Sequence, residues 1–230
     1  MIIYIEPSFA EEQKNAILKA AGTDTVLFSD DLGDAEKQGA AIRQAHIIFG
    51  NPRPPGILNE ASHLQWLQFY STGFEAYKQI RTSAVVTNLQ DFYSEPCAET
   101  MVGGILALFR GMDRFGVLKA EKRWVGHPIR NSLRLLEGKK VLILGWGNIG
   151  KRVARLLSGF NCEILIFSRS DPESHARSPE ELLNLIPVSD IIIGTLPGTA
   201  ETKGLFTADM LGLMHEEAVF CNVGRGNLLE

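Results

Sequence analysis

The sequence predicts an α/β protein built on two parallel sheets, and three observations carry that prediction. Short β-rich apolar runs alternate with helical patterns from the first residues onward, which is how parallel strands joined by crossover helices read. The run Val141 to Leu144 leads straight into Gly145-x-Gly147-x-x-Gly150 and a further helical pattern. Between the two series lies a strongly helical stretch, Ala98 to Met112.

Taken in order, Ile2 to Ile5 reads as a strand, Phe9 to Ala21 as a helix stopped at Gly22, Thr25 to Phe28 as a strand and Ala35 to Arg43 as a short helix. A third strand follows at Ile47 to Phe49. The cluster from Asn51 to Gly56 holds three prolines, which remove donors and fix φ, so it is a loop. Trp66 to Tyr70 gives a fourth strand ending in Ser71-Thr72-Gly73, and Ala84 to Thr87 a fifth, followed by Asn88. On the linking helix, Met101, Ile105, Leu108 and Met112 recur at helical spacing, with Gly103 and Gly104 on the neighbouring face, where another backbone could approach. Asp113 to Glu137 reads as irregular, either a charged linker or an arm that wraps a partner subunit. These boundaries place one domain at 1–97 and a second at 98–230.

Composition narrows the function. The chain has 230 residues, 45% apolar and 22% charged, with a formal net charge of −4. That is enough apolar material for a packed core without disulfide staples. With 23 basic against 27 acidic side chains there is no cationic excess, so no nucleic acid is expected as a partner. The longest apolar stretch, Met101 to Phe109, is about half the ~20 residues a spanning helix needs, so no membrane is expected either. The opening MIIYIEPSF shows no secretory signal. Cys97, Cys162 and Cys221 are odd in number and far apart, which points to a reducing, cytoplasmic setting and to no metal.

The order of strand, glycine turn and helix around Gly145, Gly147 and Gly150 is what a Rossmann-type dinucleotide site requires. The first glycine permits the tight turn, the second lets a pyrophosphate approach the backbone, and the third lets helix and strand pack closely. The helix start offers the N–H groups of Asn148 and Ile149 to a phosphate. A second strand, Cys162 to Phe167, follows. An acidic residue at its end would hold a free ribose 2′-hydroxyl; this chain has Ser168-Arg169-Ser170 instead. Serine can donate to a 2′-phosphate and arginine can pair with it, so NADP(H) is the preferred cofactor and NAD(H) the alternative.

Two later segments carry a resemblance. After a strand at Asp190 to Gly194 comes Thr195-Leu196-Pro197-Gly198-Thr199-Ala200-Glu201-Thr202-Lys203-Gly204, and after a helix and a strand at Ala218 to Val223 comes Gly224-Arg225-Gly226. With WLQFYSTGFE, VTN at Val86 to Asn88, EPCAETMVGGILALFR, Trp124 and LEGKKVLILGWGNIG, these segments resemble the D-isomer-specific 2-hydroxyacid dehydrogenases. The resemblance implies a Rossmann-type doubly wound parallel sheet for the second domain and a flavodoxin-like α/β substrate-binding domain before it. It implies hydride transfer between a nicotinamide and C2 of a small 2-keto or 2-hydroxy acid, of the glyoxylate or hydroxypyruvate reductase kind, in a homodimer.

Carried over to this chain, Arg225 is the catalytic arginine, since a planar guanidinium can hold a carboxylate and polarise a keto oxygen. The backbone N–H groups of Ser71, Thr72 and Gly73 correspond to the substrate-carboxylate loop. Leu196 and Pro197 are expected against a ribose, Thr202 near the phosphates, and Val223 and Gly224 beside the nicotinamide. Cys97 is expected near the nicotinamide face or as an inert buried thiol. The family's general-acid histidine and its glutamate come later than the arginine, and His46, His63, His127, His175 and His215 match no such position. The sequence therefore reads as a C-terminally truncated member whose last strand counts as the fourth of an incomplete sheet. The competing expectation is an inactive dinucleotide-binding remnant or cofactor-sensing module.

Overall fold

The computed structural model describes residues 1–230. They fold as two units, Met1–Phe92 and Tyr93–Glu230. The division falls before the long helix rather than at 97/98, because that helix buries its apolar face in the second unit's core.

In the first unit, strands β1 (Ile2–Ile5), β2 (Thr25–Phe28), β3 (Ile47–Phe49), β4 (Trp66–Gln68) and β5 (Val85–Thr87) form one parallel sheet in the order β2-β1-β3-β4-β5. This is the strand order of flavodoxin-type sheets, in which ligands bind beyond the carboxyl ends of the strands. Helices α1 (Glu11–Ala21), α2 (Ser29–Leu32) and α3 (Ala35–Gln44) connect them. Asp34 caps α3 by accepting the Lys37 N–H at 2.8 Å, which fixes its start. The core gathers Tyr4, Ile48, Leu58, Leu67, Phe69 and Tyr77, with the Phe69 and Tyr77 rings 4.5 Å apart. The proline cluster is a loop only as far as Pro54, because Pro55–Glu60 winds into a 3₁₀ turn that buries Leu58.

The second unit opens with α4 (Ser94–Arg110) and α5 (Met112–Ala120). The buried stripe of α4 is Ala98, Val102, Ile105 and Phe109, whereas Leu108 and Met112 of the expected stripe are 46% and 59% exposed. Apolar residues on two faces left the phase ambiguous, and the face whose small Ala98 allows close packing went inward. Gly103 and Gly104 face open space instead of another backbone. The stretch read as irregular contains α5, which buries no residue and so had no apolar period to betray it. Gly111, left-handed at φ +65°, ends α4 and restarts the chain in α5.

Strands β6 (Lys140–Leu144), β7 (Glu163–Phe167), β8 (Ile191–Gly194) and β9 (Val219–Asn222) then form a second parallel sheet in the order β7-β6-β8-β9. Helix α6 (Asn148–Ser158) crosses from β6 to β7, α7 (Pro179–Leu185) precedes β8, and α8 (Ala208–Gly212) precedes β9. Val141 to Leu144 and Ile191 to Gly194 are buried throughout, as the central strands of a sheet covered on both faces must be. Because β8 pairs with β6, it holds position four of the order 3-2-1-4-5-6, not position three. Position three, beside β7, shrinks to a single parallel bridge between Phe167 and Ala176. β9 is therefore the fifth strand rather than the fourth. Its Val219, Phe220 and Cys221 are half-buried, with the Phe220 ring 4.9 Å from that of Phe206, and β9 forms the outer strand of the sheet.

Candidate functional site

In the second unit, glycine is demanded by contacts that leave no room for a side chain. Gly145 turns the chain at φ +106°, and a Cβ there would lie 2.8 Å from the Thr195 hydroxyl. A Cβ at Gly150 would lie 2.3 Å from the Gly145 carbonyl oxygen, so α6 rests on the turn that precedes it. Gly147 is different, because nothing of the protein lies within 4 Å of where its Cβ would be. Its missing side chain opens the cleft rather than relieving the protein, and the α6 N-terminus stands behind that opening. The residues present thus fit a dinucleotide pyrophosphate.

The cleft has a volume of about 500 Å³. Of the residues expected at a cofactor, Gly145, Gly147, Ser168, Arg169, Ser170, Leu196, Pro197 and Thr202 line it. Asn148 and Ile149 open α6, and the Ile149 side chain packs into the core, leaving its backbone as the part available to a ligand. Thr202 is 5% exposed and its hydroxyl is engaged within its own turn, donating to the Pro197 carbonyl and accepting the Thr199 N–H at 2.9 Å. Its work is to shape the loop. Trp146, Arg177 and Glu201 also line the cleft, and sequence reading missed all three. Trp146 could have been found as the residue between the first two glycines.

Val223, Gly224 and Arg225 follow β9 and lie outside this cleft, next to its Leu196 to Gly198 wall. A Cβ at Gly224 would meet the Leu196 carbonyl at 2.5 Å, and one at Gly198 would meet Arg225 Cγ at 3.0 Å. The N–H groups of Val223 and Gly224 donate to the Gly194 carbonyl at 2.9 and 3.1 Å. Asn222 closes the turn, accepting the Gly224 N–H at 2.9 Å and donating to the Arg225 carbonyl at 3.0 Å. Arg225 is exposed, with Nη1 donating to the Gly224 carbonyl at 3.0 Å. Burial raises the Cys221 thiol pKa, which keeps it protonated and unreactive at neutral pH. Cys97 is half-buried on α4 and does not line the cleft.

In the first unit, Ser71, Thr72 and Gly73 follow β4 and are braced by side chains. Asn51 Nδ2 donates to Ser71 Oγ at 2.7 Å, and Ser71 Oγ donates to the Gly73 carbonyl at 2.7 Å. Asn88 Nδ2 donates to the Thr72 carbonyl at 2.7 Å, and the Thr72 hydroxyl to the Gln90 carbonyl at 3.1 Å. None of these bonds uses the backbone N–H groups of the loop. Asn51 is tied in turn to Glu6, whose carboxylate accepts the Asn51 N–H. Burial raises the Glu6 pKa, against the opposing pull of that hydrogen bond and of Arg53. Neither Glu6 nor Asn51 carries a motif, and they were legible only as residues that happen to follow strands.

Residues 102–230 match the family model described as D-isomer specific 2-hydroxyacid dehydrogenase, NAD binding domain. The chain belongs to this family. It is 27% identical over its whole length to a glyoxylate/hydroxypyruvate reductase of Arabidopsis thaliana, covering 73% of that protein. It is also 27% identical to a D-isomer specific 2-hydroxyacid dehydrogenase family protein of Aeromonas salmonicida, whose crystal structure matches 99% of this chain and 74% of that one with a TM-score of 0.82. An NAD-dependent formate dehydrogenase of Staphylococcus aureus, solved with NAD, shares the fold at 22% identity and a TM-score of 0.77, over 100% of this chain and 75% of that one. Among curated relatives, the chain spans between 52% and 73% of their length. Family membership makes it a nicotinamide-dependent oxidoreductase of small 2-hydroxy acids. Its relatives are named dehydrogenases and reductases, so the comparisons lend no support to an inactive remnant.

Proposed function

We propose that the chain reduces a small 2-keto acid, glyoxylate or hydroxypyruvate, with NADPH preferred over NADH. The observation that carries this reading is the packing of the Arg225 turn against the Leu196 and Pro197 wall of the glycine cleft, through a contact with the Leu196 backbone that only a glycine at 224 permits. In this reading Gly145, Gly147 and the first N–H groups of α6 hold the pyrophosphate, Leu196 and Pro197 flank a ribose, and Val223 and Gly224 border the nicotinamide. When bound, the nicotinamide supplies hydride to C2 of the acid, and solvent water supplies the proton that the keto oxygen takes up. Arg225 holds the substrate carboxylate and stabilises the charge that builds on the keto oxygen. The free N–H groups of Ser71, Thr72 and Gly73 form a carboxylate-binding loop. The preference for NADPH is supported by the end of β7, where Ser168, Arg169 and Ser170 line the cleft in place of a carboxylate.

The test is turnover and cofactor binding measured together. NADPH oxidation in the presence of glyoxylate or hydroxypyruvate is expected from the wild-type chain and lost in Arg225→Ala, with NADPH affinity held within about threefold. Unchanged turnover in the variant removes Arg225 from the chemistry.

A homodimer belongs to the same proposal. Trp124 is 95% exposed, and beside it Phe115, Leu118, Val125, Ile129 and Leu133 line an apolar groove of about 790 Å³. Contiguous exposed apolar surface of this kind marks an interaction site. Sedimentation is expected to give a dimer for the wild type and a monomer for Trp124→Asp; a wild-type monomer overturns it. The three free cysteines are in keeping with a cytoplasmic setting.

A further inference from the structure

The cofactor cleft contains a second guanidinium. Arg177 lies nine positions beyond Ser168, yet it lines the same wall as Ser168, Arg169 and Ser170. The reason is the shrunken third strand. Ala176 is fully buried, bridges to Phe167, and accepts the Ser168 N–H at 3.1 Å, so the next residue emerges beside the end of β7. From the other side Arg177 is pinned by α7, as its backbone N–H donates to Glu181 Oε2 at 2.7 Å. Its guanidinium is anchored through Nη2 alone, to the Pro172 carbonyl at 3.1 Å and the Asp171 carbonyl at 3.4 Å. Nε and Nη1 keep their donors for a ligand. The nearby carboxylates are turned to backbone: Asp171 accepts the Glu173 N–H at 3.0 Å, and Glu181 the Arg177 N–H. Glu201 is the one carboxylate lining the cleft, against two guanidinium groups.

We infer that Arg177 is a specificity-determining residue for NADPH, bracing the 168–177 loop with one nitrogen and presenting the others, together with Arg169, to the ribose 2′-phosphate. A dianionic phosphate held by two planar cations, of which Arg177 is already oriented by its loop, gains charge-assisted hydrogen bonds that a 2′-hydroxyl cannot make. The inference rests on the NADPH reading of the preceding section, and the experiment separates the two. Dissociation constants for NADPH, NADH, 2′,5′-ADP and ADP are measured by titration on the wild type, Arg177→Ala and Arg177→Gln, with a melting curve of each. Glutamine removes the charge and keeps a neutral amide donor on a shorter side chain.

The expected result is a wild type that prefers the 2′-phosphorylated ligand of each pair. Both variants then lose about 10- to 100-fold for NADPH and 2′,5′-ADP, and less than about threefold for NADH and ADP. Equal wild-type affinity for NADPH and NADH overturns the NADPH reading and the inference with it. A wild-type preference that survives in Arg177→Gln overturns the inference alone. So does an equal loss for phosphorylated and unphosphorylated ligands in Arg177→Gln, which makes Arg177 a loop brace only.

Discussion

The two units brace a loop at the carboxyl end of a parallel sheet by different means. In Tyr93–Glu230 the loops are held by backbone against backbone: Gly150 over the Gly145 carbonyl, Gly224 over the Leu196 carbonyl. In Met1–Phe92 the Ser71 to Gly73 loop hangs on side chains, namely Asn51, Asn88 and the hydroxyls of Ser71 and Thr72. The first device tolerates only glycine and leaves a spaced signature. The second tolerates many residues, costs little to alter at any one position, and leaves none.

That contrast is open to direct attack. The largest effect is expected at Arg225, where alanine should lower turnover by about 10² to 10³, the cost of removing one preorganised donor to developing oxyanion charge. Next comes Gly150→Ala. Its Cβ would press on a carbonyl that cannot move without dragging the strand, so denaturant unfolding should show a loss of about 3 kcal/mol. Ser71→Ala, which removes two hydrogen bonds from the other loop, should cost about 1 kcal/mol in the same measurement. Equal losses for the two would erase the distinction between glycine-braced and side-chain-braced loops.

The smallest effects are those of pH, and the units differ in sign. Asp190 is partly buried, which raises its pKa, but hydrogen bonds from Lys139 at 2.8 Å and the Lys140 N–H at 2.9 Å outweigh burial and leave it lowered. A lowered carboxylate stabilises the fold above its unfolded pKa, and that contribution is lost as pH falls through the folded value. Glu6 is raised, so its favourable contribution is present below the unfolded pKa and disappears as pH rises through the folded one. Melting temperatures from about pH 3 to about pH 7 should therefore show Asp190→Asn losing part of the acid-side drop, and Glu6→Gln losing part of the decline toward neutrality. Shifts of the same sign in both variants would contradict the assignment.

Much of the framework is legible in the amino-acid sequence. Strands Ile2–Ile5, Thr25–Phe28 and Ile47–Phe49 occur where the apolar runs place them, since buried parallel strands read as short continuous β-branched stretches. The glycine turn was legible because two of its three positions are sterically compelled. Position three of the second sheet was not, since one bridging residue, Ala176, has no period to detect, and the miscount of β8 and β9 followed from it. Arg177 was hidden for the same reason. The wrong stripe on α4 came from Leu108 and Met112, apolar side chains that the fold leaves at the surface. Glu6 and Asn51 depend on pairings across 45 residues of sequence, which local pattern cannot express.

In the proposed function the second unit holds a dinucleotide in a cleft whose floor is opened by Gly147. Calorimetric titration of NADPH into wild type and Gly147→Ala tests it most directly, because the added methyl touches no protein atom within 4 Å. Saturable binding to the wild type, affinity at least about tenfold weaker in the variant, and the same melting temperature for both apo proteins are expected. Equal affinity in the two, or no saturation in the wild type, would contradict it.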